Sequence, residues 1–137
     1  VADFIAKTFC EPAVVKNEQA VKQIIAKYDF DVEVSVQHGK LFIHGHDWFR
    51  AYNAGEGNDI AAEDMTEKFL LEIKPHIALE LVLQMVGLEK LSVVTELITV
   101  NEHLVTRRCT DGNTYRIMRI TDEKQSLRRF ILRTKEE

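Results

Sequence analysis

Residues Leu79–Thr134 read LELVLQMVGLEKLSVVTELITVNEHLVTRRCTDGNTYRIMRITDEKQSLRRFILRT, and the fold turns on whether this stretch is a meander of strands. Thr95–Val100, His103–Thr110, Asn113–Thr121 and Ser126–Thr134 are rich in Val, Ile, Leu, Thr, Tyr and Phe, side chains that suit a pleated, half-buried surface. Between them stand Asn101-Glu102, Asp111-Gly112 and Asp122–Gln125. Asp-Gly is the strongest of these breaks, because a tight hairpin turn needs positive φ at its centre. A two-residue loop at Asp111-Gly112 would set Thr110 opposite Asn113, Arg108 opposite Tyr115 and Thr106 opposite Ile117.

Carried outward, that register puts Leu97, Leu104, Ile117, Phe130 and Leu132 on one face. The other face would hold Ile98, Val105, Met118 and Ile131, mixed with Glu96, Arg107, Arg116 and Arg129. A slip of one residue exchanges the two sets, so the register is a specific expectation.

Upstream, Ala78–Val86 fits both periods. Leu79, Leu81, Leu83 and Met85 alternate as in a strand, while Glu72, His76, Glu80 and Gln84 recur every four residues as in a helix. Pro75 and Gly87 keep the segment short, which favours the strand. Before it, Asp59–Ile73 carries Ile60, Ala61, Met65, Phe69, Leu70 and Ile73 at helical spacing, with Pro75 as the stop. Asn53–Asp59, with two glycines, reads as a loop.

Asp31–Tyr52 has period two. A turn at His38-Gly39 sets Val36 opposite Leu41 and Val34 opposite Ile43, so the apolar residues meet on one face. Glu33, Ser35, Phe42 and His44 fall on the other, and a third strand follows a bend after Gly45. A first helix starts at Asn17, a good N-cap, with Glu18 in its first turn and Val21, Ile24, Ile25 and Tyr28 as its stripe. Val1–Pro12 reads as a helical turn or an edge strand.

The expected architecture is therefore one α+β domain over residues 1–137. It is a two-layer sandwich with two helices packed on one face of a curved antiparallel meander sheet. At 45% hydrophobic and 29% charged residues the composition is that of an ordinary globular chain. No apolar run approaches the ~20 residues of a membrane span. Val1-Ala2-Asp3-Phe4 has no basic, apolar leader, and Cys10 and Cys109 have no CxxC spacing. Free thiols and a cytoplasmic location are the expectation.

Three features bear on function. His44-Gly45-His46-Asp47 puts two imidazoles on one side of a strand, with Asp47 near and Glu33 predicted beside His44. His44, His46 and Asp47 are the candidate metal ligands; a divalent metal is the one cofactor the sequence admits, and two histidines with one carboxylate make a weak signature. The second feature is charge. Residues 103–137 hold 9 Lys+Arg and 5 Asp+Glu, net +4, whereas residues 1–102 hold 9 and 17, net −8. Arg107, Arg116 and Arg129 could meet phosphates on an RNA- or DNA-binding sheet, but the net charge of −4 and the sparse aromatics argue against nucleic acid. Pairing with acids, such as Glu96 across from Arg107, is the simpler reading. The third feature is the mixed apolar and arginine face, which suits an interface and points to a two-fold dimer. A curved sheet closed on that face by the Asp31–Tyr52 hairpin is the competing arrangement.

The sequence names no catalytic residues and no substrate. It fits a non-catalytic interaction or small-ligand-binding module that self-associates through its sheet. The alternative is a small enzyme or metal-binding protein using His44, His46 and Asp47.

Overall fold

The computed structural model describes residues 4–57, 59–89, 92–111, 114–120 and 129–134. Alternating apolar residues dominate it. Strands β7 (Leu81–Glu89), β8 (Ser92–Val100), β9 (Val105–Asp111), β10 (Thr114–Ile120) and β11 (Arg129–Thr134) form an antiparallel meander. The N-terminal strand β1 (Phe4–Cys10) pairs with β7 and completes a six-stranded sheet in the order β1-β7-β8-β9-β10-β11. Ala78–Val86 is thus mostly strand, as the pairing of Leu81 with Val100 requires, and Val1–Pro12 supplies an edge strand.

Helix α1 (Glu18–Ile25) begins where Asn17 predicts. The Asn17 carboxamide oxygen accepts from the Ala20 N–H at 3.0 Å, satisfying one of the free amides of the first turn. Tyr28 does not extend this helix: it is buried in β3 (Tyr28–Phe30), which pairs with β6 (Ala51–Asn53). The hairpin β4 (Glu33–Gln37) and β5 (Lys40–His44) has the expected register, Val36 against Leu41, Val34 against Ile43 and Glu33 against His44. Strand β2 (Ala13–Val14) adds to β5.

Helix α2 (Thr66–Ile73) starts seven residues later than its periodicity suggests and passes into a 3-10 turn at Lys74–His76. Asp64 accepts from both the amide and the hydroxyl of Thr66, and the Met65 amide is held by the Ala51 carbonyl at 2.8 Å. The backbone before Thr66 is thereby committed elsewhere, and Ile60, read as part of the buried stripe, is fully exposed.

Both helices and the small hairpin cover one face of the large sheet. The core runs from Val21 and Ile24 of α1 and Phe69, Leu70 and Ile73 of α2, through Leu41 and Ile43, to Leu81, Leu83, Met85, Ile98, Val100, Val105 and Ile120. Tyr28, Phe30, Phe49 and Phe69 pack in its interior, with Phe30 edge-on to Phe69 at 4.9 Å. Two reciprocal backbone bonds between Thr8 and Gly45, at 2.9 and 3.1 Å, tie the edge strand to the end of the hairpin.

The face expected to stay open is therefore the covered one. Ile98 and Val105 are wholly buried, together with Glu96, and the Leu97 side of the sheet is the one left outside. The register differs as well, but it does not decide which face is covered. Thr110 pairs with Tyr115 instead of Asn113, and Arg108 with Ile117 instead of Tyr115, a slide of two that keeps the faces of β9 and β10. In β11 the slide is odd: Ile117 pairs with Ile131, and Phe130 with Met118. Asp111, expected in the turn with Gly112, is instead the last residue of β9 and pairs with Thr114; Gly112 and the expected turn at Asp122–Gln125 lie outside the described residues.

Candidate functional site

Along β8 the inward positions are Val94, Glu96, Ile98 and Val100, so an acid stands in an apolar row. Glu96 is only 3% exposed. A buried carboxylate must be paired, and three donors meet it. Trp48 Nε1–H donates to Oε1 at 2.9 Å, Arg107 Nε–H to Oε2 at 2.6 Å, and the Cys109 thiol lies 3.4 Å from Oε2. Cys109 is the direct cross-strand neighbour of Glu96; Arg107 faces Ile98 and reaches Glu96 diagonally. Arg107 also lies 3.6 Å from Glu67 of α2, linking the sheet to the helix above it.

This cluster lines a cavity of about 490 Å³, with Asp31, Asp47, Arg50, Val94, Thr110 and Arg116. The volume suits a small molecule. Burial alone would lower the Arg107 pKa, but the Glu96 hydrogen bond and charge outweigh it and hold the guanidinium charged. Burial, with the Glu96 carboxylate close by, pushes the Cys109 thiol up to about 11. At neutral pH that sulfur is a protonated donor and not a nucleophile. Burial likewise raises Asp31, against the opposing hydrogen bond from the Tyr52 hydroxyl at 2.9 Å and the charge of Arg50; Asp47 and Asp64 add to the rise. Arg116 and Arg50 are exposed and have no ion-pair partner among the described residues.

The histidine motif is divided. His44 is exposed on β5 with Nε2 3.4 Å from Glu33, as the hairpin register predicts. His46 borders a separate hollow with Ile5, Phe9 and Val86. Asp47 turns to the Glu96 cavity; its carboxylate accepts from the Trp48 amide at 2.7 Å and its carbonyl from the Thr8 hydroxyl at 2.6 Å. Among the described residues no three His, Cys, Asp or Glu side chains gather as a metal ion needs. Of the three arginines considered for phosphate contact, Arg107 is committed to Glu96 and Glu67, Arg116 faces the cavity, and Arg129 is the register partner of Arg119.

The sequence supplied the Glu96–Arg107 pair but not the site. Asp31, Trp48 and Arg50 come from a distant segment, and the one available signal was an acid in an otherwise apolar row of β8. No helix among the described residues is long and apolar enough to cross a membrane. Comparison with known proteins finds no matching family model, no matching curated protein and no matching solved structure.

Proposed function

We propose that this protein is a non-catalytic binding module that takes a small polar ligand in the cavity above Glu96. The ligand class follows from the lining. Arg116 and Arg50 offer guanidinium groups to a carboxylate or phosphate, and Asp31 and Asp47 accept from an ammonium or hydroxyl group. A small zwitterion or polar anion meets both. The Trp48 ring and Val94 supply the apolar wall.

The observation that carries this reading is Glu96 at the cavity floor with its oxygens already engaged by Trp48, Arg107 and Cys109. A buried ion pair returns little net stability, so its position at the base of a cavity is better explained by a rigid polar platform for a ligand. The same contacts disfavour catalysis at this floor, since the carboxylate is occupied as an acceptor and the thiol is held neutral.

Trp48 is the only tryptophan, so its emission reports on the cavity directly. Titration with amino acids, small dicarboxylates and phosphate monoesters should give a saturable change for one of these classes. Arg116→Ala should weaken it about tenfold or more, the value of one charge-assisted contact. If no compound in these classes changes Trp48 emission or thermal stability, the reading is wrong.

A further inference from the structure

The outer face of the six-stranded sheet carries an apolar patch confined to three strands. Ile5 of β1, Leu88 of β7 and Val93 of β8 form one continuous cross-strand row, and they are 71%, 41% and 58% exposed. Val86 and Phe9, at 43% and 40%, extend the patch along the strands. These side chains line one shallow hollow whose charged and titratable members are Lys7 and His46. Farther across the same face the character changes: Arg108 of β9 and Arg119 of β10 are exposed there, beside Thr99, Thr106 and Thr110.

Five side chains at these exposures leave roughly 500 Å² of contiguous apolar surface, near the top of what a monomer ordinarily presents. With the polar residues around it, the β1–β7–β8 face approaches the roughly 800 Å² per partner of a standard protein interface.

We infer that a second copy of this chain docks on this face, sheet against sheet, about a two-fold axis running along β7. Such an axis lays β1 of one copy over β8 of the other. Ile5 and Phe9 then meet the partner's Val93 and Leu97 rows, and Leu88 and Val86 meet near the axis. The interface is isologous, so one patch serves both sides.

Charge selects this occupant. The axis along β7 carries Arg108 and Arg119 of both copies beyond the overlap, whereas an axis nearer β9 would set guanidinium groups against each other. An acidic partner or an anionic membrane would gain most from the arginine half of the face, not from the half where the apolar row lies. The contact uses the surface opposite the Glu96 cavity, so it stands independently of ligand binding there.

Sedimentation equilibrium on the full chain, from about 1 to 200 µM, tests this against a micromolar dissociation constant. The wild type should fit a monomer–dimer equilibrium. Val93→Glu and Ile5→Glu, each checked for an unchanged circular dichroism spectrum, should weaken it at least about tenfold. Arg108→Glu should leave it within about threefold, because rim charges contribute little. A wild type that is monomeric throughout overturns the inference. So does a dimer that survives both apolar substitutions, or one abolished by Arg108→Glu alone. A monomer that instead co-sediments with phosphatidylserine vesicles would assign the face to a membrane surface and overturn it as well.

Discussion

Arg107 donates from Nε to Glu96 Oε2 at 2.6 Å, diagonally across β8 and β9, on the face where both strands meet the core. Two opposite charges are thus fixed inside the sheet's covered side, with Glu67 of α2 as a second anion for Arg107. Removing one partner strands the other. Glu96→Ala should cost about 3–5 kcal/mol, while Glu96→Leu with Arg107→Met should cost much less. Urea unfolding of the two variants checks this; equal losses would mean that the pair is not what holds the site.

The thiols set an alkaline limit. Burial, as the largest influence, raises both Cys10 and Cys109 from 9.0 to about 11. Between those values the unfolded chain has released thiol protons that the folded chain keeps, so the contribution to stability is intact below pH 9 and is lost as pH rises toward about 11. Replacing both cysteines by serine should flatten that part of the stability profile. Alkylation by iodoacetamide at pH 8 should be slower in the folded protein than in urea, and a fast folded-state rate would contradict the neutral thiol on which the non-catalytic reading leans.

Glu72 contributes to acid sensitivity. Burial alone would raise its pKa, but hydrogen bonds from Lys27 and Tyr28 prevail and hold it below 4.5. A lowered carboxylate stabilises the fold above its unfolded pKa, and that contribution disappears as pH falls through the folded value. Glu72→Gln should therefore lower thermal stability at pH 7, and its difference from the wild type should shrink as pH falls through the acid range.

His38 sits at φ 52° in the β4–β5 turn, a left-handed conformation that its Cβ disfavours, with Gly39 following at 74°. Asn-Gly suits such a turn better. His38→Asn should gain roughly 0.5–1 kcal/mol, and His38→Val should lose at least as much. Thermal melts of the two variants should move in opposite directions.

At Gly45 a Cβ would come within 2.9 Å of the Val32 Cβ and 3.2 Å of its Cα, beside the Thr8 bridge. Gly45→Ala should cost roughly 1–3 kcal/mol. A double-mutant cycle should show partial relief with Val32→Ala, which removes the Cγ1 at 3.0 Å, and more with Val32→Gly, which also removes the Cβ at 2.9 Å.

Local signals fixed much of this architecture. Asn17 capped α1 because its side chain reaches an amide three residues on, and His38-Gly39 set the hairpin because period-two alternation on both flanks admits one register. The turn residues around β8 and β9 separated strands that both form, although β8 starts at Ser92 instead of Thr95 and β9 at Val105 instead of His103. The start of α2 was not legible, since Asp64 and the Ala51 carbonyl compete for backbone that periodicity alone assigns to the helix. Nor was the buried face of the sheet. Both faces of β8 carry apolar residues, and arginines by themselves point to the outer one. Only the packing of α1, α2 and the hairpin decided the matter, because a guanidinium can lie inside when a carboxylate on the next strand is within reach. The cavity is decided at the same level: Asp31, Trp48 and Arg50 belong to a different segment from Glu96, Arg107 and Arg116, and nothing in either segment records that they meet.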